Sequence, residues 1–416
     1  MGKQKDASGG RFRKMRTLAE EQAEIAAARE QKRVARRKRR LRRLLTWAVA
    51  ASVAISAAVL TVIGLGEVRC SAVWDAVRLL GRVGDDFPVS GGAGAMRQAD
   101  MLGGALVLLG AKTLDIYSKE AYHSLSFPQN YAAPAFRAAQ GRVLLFDRGA
   151  GRLALLSRTA VLYEKNLTQR LLGGDLNARG DVAVATIAEA GTSEAHVWNA
   201  RGRECFAWRC DKEYITALRL AKNGRGLAMC LTGTAQAAVY ARFVFFPFGA
   251  EQPQIDLRFE GAWLSGMERC KDGWLLFGDQ AVYLVRDDGS SEAYSFEGRP
   301  LQAFAAQEGG LSAVLLQALG SSSSLLRVFD EEGALLSEET FSMRSADLRC
   351  AAGRIYLRFG DRLYCREEDG SYKRSRVLPV GLEAVFADGK RLVVISVAGI
   401  EVMQAGWEET DITELA

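Results

Sequence analysis

Hydrophobic and polar positions divide the chain into a basic N-terminal stretch, one long apolar segment and a large remainder of short apolar runs. Residues 44–65 contain no charged residue. At about 1.5 Å per residue, a helix of this length spans the roughly 30 Å hydrocarbon core of a bilayer. We therefore predict a transmembrane helix over residues 44–65. Beyond residue 95 the apolar runs are too short for helices and are separated by Gly, Asp and Asn, which indicates strands and tight turns.

One pattern recurs eight times in this remainder: a glycine, an apolar strand, a short turn and a second strand. The glycines that begin the copies lie 36 to 49 residues apart: Gly103, Gly141, Gly180, Gly224, Gly273, Gly310, Gly353 and Gly389. The second half of the pattern ends in an acidic or Asn turn closed by glycine, as in residues 283–289 and 327–333. Repeats of about 40 residues that each form a small sheet are typical of a β-propeller.

The predicted fold class is mostly β, a seven- or eight-bladed β-propeller of WD40/PQQ-like architecture with divergent repeats, preceded by one transmembrane α-helix. The number of blades stays open because one copy could be an insertion. Residues 83–89 and 407–415 are candidates to complete one blade between them and so close the ring. A β-sandwich with accidental periodicity is the alternative, since sandwiches also contain regularly spaced short strands.

Charge is unevenly distributed between these segments. Residues 1–43 carry 16 Lys/Arg and 5 Asp/Glu, a net charge of +11, whereas the whole chain carries +6, which leaves −5 for residues 44–416. Basic residues flank a spanning helix on its cytoplasmic side. We therefore predict a single-pass protein of the cell membrane with a signal-anchor. Its parts are a basic cytoplasmic tail (1–43), partly helical or disordered, the transmembrane helix (44–65), a juxtamembrane linker (66–95) and an extracytoplasmic propeller (96–416).

The predicted partner of residues 44–65 is the lipid bilayer. The basic tail is expected to lie on anionic lipid of the inner leaflet, because each basic residue near that surface gains around 1 kcal/mol. We do not expect the tail to bind nucleic acid, since no aromatic stacking residues are interleaved with its arginines.

No motif in the sequence predicts a catalytic activity, so we assign no catalytic, cofactor-binding or metal-binding residue and predict no cofactor. His123 and His196 lie in different copies of the repeat and are too few for a histidine-based metal site or catalytic triad. The carboxylate pairs Asp287–Asp288 and Glu331–Glu332 stand beside turn glycines, which indicates solvated turns.

The seven cysteines are an odd number, and an extracytoplasmic location permits disulfides without requiring them. Cys205 and Cys210 lack the second pair that a zinc site needs. Cys230 and Cys365 lie in apolar strands and are predicted to be core residues. Cys70 follows Arg69, which disfavours acylation, and we hypothesise that it forms an intermolecular disulfide.

Tryptophans could line a groove for a glycan or a peptide. Most lie at strand positions, which favours the core of the blades instead. The tryptophans considered are Trp74, Trp198, Trp208, Trp263, Trp274 and Trp407, and Trp47 is a candidate interfacial anchor.

Several segments resemble a known family. They are Phe87-Pro88-Val89, residues 130–135, residues 141–149 and residues 180–186. The sequence resembles a family of Gram-positive bacterial single-pass membrane proteins with an extracytoplasmic propeller-like domain of unknown function. The resemblance covers the anchor and most of residues 83–404. It implies an architecture and a location but supplies no catalytic residues.

From these patterns we predict a membrane-anchored extracytoplasmic β-propeller that acts as a binding or scaffolding module at the cell envelope, with an envelope protein or glycan as its partner. An envelope-acting enzyme with an acidic site in the propeller channel is the first alternative. Several carboxylates with raised pKa values converging in one pocket would favour it. A transmembrane signalling or sensor protein is the second alternative.

Overall fold

The computed structural model describes residues 67–82, 84, 87–90, 96–188, 192–307, 309–317, 320, 323–343, 345, 347–351, 353–367, 370–372, 374–379, 381–388, 391–404 and 408–409. Within these residues, no helix has both the length and the apolar character that crossing a membrane requires. The basic tail and the predicted transmembrane helix over residues 44–65 lie outside the described residues.

The described chain folds into one helix and a series of antiparallel sheets. The helix is α1 (Glu67–Leu79). The strands up to the middle of the chain are β1 (Val89–Ser90), β2 (Gln98–Leu102), β3 (Ala105–Leu109), β4 (Thr113–Tyr117), β5 (His123–Pro128), β6 (Pro134–Ala139), β7 (Arg142–Asp147), β8 (Arg152–Ser157), β9 (Val161–Asn166), β10 (Leu171–Leu176), β11 (Val182–Ile187), β12 (Ser193–Trp198), β13 (Glu204–Cys210), β14 (Tyr214–Leu220), β15 (Gly226–Ala235), β16 (Ala238–Pro247) and β17 (Ile255–Glu260).

The remaining strands continue the same arrangement. They are β18 (Leu264–Arg269), β19 (Gly273–Gly278), β20 (Ala281–Arg286), β21 (Ser291–Ser295), β22 (Leu301–Ala306), β23 (Ser312–Gln317), β24 (Ser324–Phe329), β25 (Leu335–Phe341), β26 (Asp347–Ala351), β27 (Arg354–Phe359), β28 (Arg362–Arg366), β29 (Arg374–Val377), β30 (Leu382–Asp388), β31 (Arg391–Ser396), β32 (Gly399–Gln404) and β33 (Glu408–Glu409).

These strands form an eight-bladed β-propeller. Blades 1 to 7 each contain four consecutive strands, from β2–β5 in blade 1 to β26–β29 in blade 7, and β33 is a fifth strand of blade 7. Blade 8 comprises β30, β31, β32 and β1. The mostly β propeller predicted from the sequence is confirmed, and of the two blade numbers left open the structure has eight.

Every glycine-led copy of the repeat supplies the second strand of one blade, from β3 in blade 1 to β31 in blade 8. In blades 1, 2 and 5 all residues of this strand are buried. The reason is that both faces of the second strand pack against neighbouring blades, so the strand is a continuous apolar run. Outer strands such as β5 and β9 alternate exposed and half-buried positions because one of their faces meets solvent.

Hydrophobic clusters of the described residues occupy the interfaces between consecutive blades. Seven of them each join two successive blades, from blades 1 and 2 to blades 7 and 8. The eighth packs Leu106 and Leu108 of blade 1 against Ile395 and Ile400 of blade 8. Because this cluster joins the last blade to the first, the propeller is a closed ring.

Within the described chain, one strand from the N-terminal side joins the last blade and so closes the ring. Val89 of β1 pairs with Ile400 of β32, so the strand that precedes blade 1 forms the outer edge of blade 8. Residues 408–409 instead extend blade 7, where Glu408 pairs with Ser375. The prediction that both terminal segments complete one blade is therefore wrong for the C-terminal one, because β1 already occupies the fourth place in blade 8.

Residues 66–95, predicted as a linker, contain α1 as well as β1. Helix α1 is held on blade 2 through Asp75, whose buried carboxylate accepts hydrogen bonds from the Ser157 hydroxyl (2.9 Å), the Arg158 backbone N–H (3.2 Å) and the Thr159 hydroxyl (2.5 Å). These three donors belong to the turn between β8 and β9. A buried carboxylate with three donors fixes the helix to this end of the blade.

Candidate functional site

The first strand of each blade lines the central channel, and the channel holds a cavity of about 460 Å³. This volume lies in the range of roughly 300–1,000 Å³ that is usual for small-molecule sites. Six first strands, from blades 1 to 6, contribute residues to its wall, among them Gln98, Arg137, Gly173, Arg219, Gly266 and Phe304. Side chains from distant parts of the sequence therefore meet in one cavity.

β-Bulges shape the cavity wall near the beginnings of β10, β14, β18 and β22. A bulge leaves one residue outside the regular pairing and turns its side chain. In β14 the residue between the paired positions is Thr216, whose hydroxyl donates to the Leu264 carbonyl in blade 5 (3.0 Å). The bulge thus joins two blades while leaving the channel open beside it.

Small residues keep the middle of the channel free. A Cβ atom added at Gly173 would meet no atom within 4 Å, so this position faces open space. A Cβ atom at Gly266 would lie 2.6 Å from the ring of Phe304. Glycine at 266 therefore allows the Phe304 ring to reach into the cavity, where it stacks on Phe277 with a centroid distance of 4.5 Å and stays 39% exposed.

Three charged residues from consecutive blades form an ion-pair chain beside the cavity. Arg219 donates from Nη1 to Asp175 (2.8 Å) and from Nη2 to Glu268 (3.3 Å). The second oxygen of Asp175 accepts the Leu220 backbone N–H (2.8 Å). Burial alone would lower the pKa of Arg219, but the attraction of Asp175 and Glu268 outweighs it and raises the pKa. Both carboxylates thus form an ion pair with Arg219.

Two further arginines of blade 2 line the cavity, Arg137 on β6 and Arg148 just after β7. Among the described residues, neither guanidinium has a hydrogen-bond or ion-pair partner. Arg137 is exposed to the channel. Desolvation by the surrounding walls lowers the pKa of Arg137, and the like charge of Arg219 lowers it further, whereas the carboxylates of Asp175, Glu268 and Asp100 act in the opposite direction. The two guanidiniums therefore have N–H donors that the described part of the chain does not pair.

Asp100 on β2 is the carboxylate of the channel whose pKa is raised. Burial raises it, whereas the hydrogen bond from the Met101 backbone N–H and the charges of Arg137 and Arg349 act in the opposite direction. One carboxylate with a raised pKa therefore lies on a strand that lines the cavity.

The cavity and helix α1 lie at opposite ends of blade 2. Arg148 directly follows the last residue of β7, at the end where β8 begins, whereas α1 contacts the turn after β8. A strand of six residues is about 20 Å long. The Arg148 end of the cavity thus faces away from helix α1.

The two histidines lie outside the cavity on different blades. His123 contacts Asp115 (2.9 Å) and stacks on Tyr117 in blade 1. His196 lies on β12 in blade 3, 2.7 Å from Glu204. No group of three potential metal ligands is present in the described chain.

The acidic pairs lie at hairpin turns, where they form ion pairs at the surface. Asp287 accepts two hydrogen bonds from Arg269 (2.6 and 2.7 Å), and Glu332 accepts one from Lys271 (2.8 Å). Both pairs lie at turns, as the sequence predicts, and Gly289 and Gly333 close these turns with positive φ.

Cysteines whose side chains are described are unpaired, and only Cys205 among them is exposed. Cys230 and Cys365 are buried in the clusters between blades, as predicted. The side chain of Cys70 lies outside the described part of the structure.

The tryptophans divide into core and surface residues. Trp198, Trp208 and Trp274 pack in the clusters between blades, as the strand positions predicted. Trp74 on α1 and Trp263 are exposed. Trp47 and Trp407 lie outside the described residues.

The charged residues of the channel were not recognised from the sequence. A signal for them exists, because the first strands carry an isolated charged residue within an otherwise apolar or small-residue stretch. Arg137 in PAFRAA, Asp175 in LLGGDL and Arg219 in YITALRL are examples. Charged residues in buried strands usually have a partner. Aligning the copies of the repeat on these charged positions would therefore indicate which residues lie at the channel.

Comparison with a solved WD40 domain supports the propeller fold. The crystal structure of the C-terminal WD40 domain of Sif2 superimposes with a TM-score of 0.52 at 10% identity, covering 76% of this chain and 99% of that chain. The crystal structure of BamB from Moraxella catarrhalis gives a TM-score of 0.49 at 13% identity, covering 76% of this chain and 95% of that chain. At such identities the likeness shows the fold alone.

No curated protein matches the sequence. Residues 96–404 match DUF5711, a family of unknown function. The resemblance drawn from the sequence is confirmed for an unknown-function family with a propeller-like fold, whereas its Gram-positive, single-pass membrane character stays a prediction. The chain belongs to the DUF5711 family of unknown function.

Proposed function

We propose that this protein is a membrane-anchored, extracytoplasmic β-propeller that binds or scaffolds a partner at the cell envelope through the mouth of its channel. One observation carries the choice of binding over catalysis. The cavity exposes the unpaired arginines 137 and 148, while Asp175 and Glu268 are held by Arg219. A general acid–base site needs groups poised to exchange protons, and an arginine-lined cavity instead supplies fixed positive charge.

The membrane anchor rests on the sequence. The apolar residues 44–65 follow the arginine-rich end of the tail, which favours a cytoplasmic N-terminus and an extracytoplasmic propeller. The next described element, α1, is held on blade 2 through Asp75. In this proposal the propeller contacts envelope components through the mouth of the cavity.

The side of the membrane on which the propeller lies is tested by labelling intact cells with a membrane-impermeant maleimide. In a Cys70→Ser background, the exposed Cys205 reports on the outer side, and the further change Cys205→Ser is the matched control. We expect labelling of whole cells that the control abolishes. Labelling of Cys205 only after the membrane is permeabilised would reverse the proposed topology.

Binding is tested by crosslinking in membranes and purification of the full-length chain. We expect a reproducible envelope partner whose recovery falls in Arg148→Gln. Arg203→Gln, a charge-removing change in an exposed turn of blade 3, is the matched control and is expected to leave recovery unchanged. Equal recovery with wild type and both variants would exclude the channel mouth as the contact.

A further inference from the structure

We propose that the channel cavity is an anion site, in which Arg137 and Arg148 bind a phosphate or carboxylate group of a ligand. This inference rests on the proposed function, because it names the chemistry that the binding surface recognises. The shared chemistry is an oxyanion, which either a small molecule or an acidic group of a larger partner can present.

The first argument is the set of arginine N–H donors that have no acceptor in the cavity. Arg219 has two carboxylate partners, at 2.8 and 3.3 Å, whereas Arg137 and Arg148 have none among the described residues. A guanidinium offers five N–H donors in a planar fork that matches phosphate and carboxylate oxygens. An oxyanion in the cavity would therefore supply the acceptors that the described chain does not provide.

The second argument is that the other polar groups of the wall are already occupied. The Gln98 side chain exchanges two hydrogen bonds with the Phe136 backbone in the next blade (2.9 and 3.1 Å). The hydroxyls of Thr216 and Ser265 donate to backbone carbonyls. These groups hold the wall in place, so the two arginines are left as the donors for a ligand.

The third argument is the enclosure of Arg137. Desolvation and the neighbouring charge of Arg219 both lower its pKa, while Asp175, Glu268 and Asp100 act in the opposite direction. A bound anion would offset the desolvation and the repulsion from Arg219, because opposite charges attract more strongly where water is partly excluded. Arg137 stays protonated and so offers the anion a fixed positive charge.

The experiment is calorimetric titration of the purified full-length chain with inorganic phosphate and, separately, with acetate, at a constant ionic strength of about 0.15 M set with sodium chloride. We expect saturable binding of at least one of the two anions. Charge-assisted hydrogen bonds contribute about 1.5–3 kcal/mol, so Arg137→Gln should weaken binding about 10- to 100-fold. Arg148→Gln should weaken it by a similar factor.

Two controls separate lost contact from lost folding. Arg137→Lys keeps the positive charge and should retain part of the affinity, and Arg203→Gln removes a charge elsewhere and should bind like wild type. Thermal melting of each variant shows whether the propeller is intact. Failure of both anions to bind an intact wild-type chain, or binding that is unchanged in both glutamine variants, would overturn the anion site.

Failure of the anion site can be distinguished from failure of the proposed function. If an envelope partner is recovered but neither anion binds, the scaffold proposal stands and the anion site is wrong. If the anions bind but Cys205 is labelled only in permeabilised cells, the anion site stands and the proposed location is wrong. If recovery of an envelope partner is reduced by free phosphate, the oxyanion belongs to that partner, which supports both proposals.

Discussion

Asp175 and Arg219 join the first strands of blades 3 and 4 through a 2.8 Å ion pair at the wall of the central channel. The same carboxylate accepts the backbone N–H of Leu220, so one side chain satisfies both a guanidinium and a main-chain donor. The residues are 44 positions apart in the sequence, about one repeat. Adjacent blades are thus connected by polar contacts on the channel side as well as by apolar packing.

Loss of this carboxylate is predicted to destabilise the propeller. We expect Asp175→Ala to lower the free energy of unfolding by about 3 kcal/mol, because removing one partner of a buried pair leaves the other donors unsatisfied. Urea denaturation followed by circular dichroism measures the change. Asp211→Ala is the control, since that carboxylate is 83% exposed, and it should change stability by less than about 0.5 kcal/mol. Similar losses in the two variants would contradict the structural role of Asp175.

Release of helix α1 is predicted for Asp75→Ala. The change leaves the Ser157 and Thr159 hydroxyls without their carboxylate acceptor, which costs about 1–3 kcal/mol of local stability. We expect trypsin to cleave after Arg78 and Arg82 faster than in wild type, while the melting temperature of the propeller changes little. Glu251→Ala, in an exposed bend of blade 4, is the comparison variant. Unchanged cleavage in Asp75→Ala would mean that other contacts hold the helix.

Thiol reactivity is predicted to separate the cysteines. In a Cys70→Ser background at neutral pH, Cys205 should react with a maleimide before the buried cysteines do. Burial raises the pKa of Cys210 and of Cys270 to about 11, so both thiols are protonated as well as shielded. Mass spectrometry of tryptic peptides identifies the labelled sites. Early labelling of Cys270 in the folded protein would contradict the packing of blade 5.

The hypothesis of an intermolecular disulfide at Cys70 has its own test. Non-reducing gels of wild type and Cys70→Ser should differ, with a dimer band only in wild type. Because Cys205 is unpaired and exposed, a dimer band that persists in Cys70→Ser would assign the disulfide to Cys205 and contradict the hypothesis for Cys70. A monomer band in both proteins would remove the hypothesis.

Alkaline destabilisation is predicted to involve Tyr372. Burial and the Glu339 carboxylate, to which its hydroxyl donates, raise the pKa of Tyr372 above that of an unfolded tyrosine. A raised pKa stabilises the folded state below the unfolded value of about 10, and this contribution is lost as the pH rises above it. The stability difference between wild type and Tyr372→Phe should therefore shrink above pH 10, by up to about 1.4 kcal/mol per pH unit. Urea denaturation at several alkaline pH values measures it, and parallel stability curves would contradict the prediction.

The blades could be predicted from the sequence because their second strands are buried on both faces. Such strands read as continuous apolar runs, and Gly141 or Gly353 at their beginnings repeats at a nearly constant spacing. Blade number was harder, since the spacing leaves open whether one copy is an insertion. The first and last blades meet through Leu106 and Ile395, which no local pattern links.

The channel site could not be predicted from local patterns for the same reason. Arg137, Asp175 and Arg219 each stand alone in their strands, and only the closed ring brings them near one another. The bulge at Thr216 also changes which side chains face the channel, and a regular alternation of two residues does not anticipate it. Which of these charged side chains form ion pairs therefore becomes clear only from the three-dimensional arrangement of the blades.

The strand β1 has a consequence for how the chain reaches its native state. Val89 pairs with Ile400 across 311 positions of sequence, so this contact forms only after almost the whole propeller has been synthesised. Contacts of such long range slow folding, because the entropy of closing a long loop opposes them. Until then the open edge of blade 8 exposes unpaired backbone groups that other strands could occupy. The period before ring closure is therefore when the propeller is most exposed to misassembly and proteolysis.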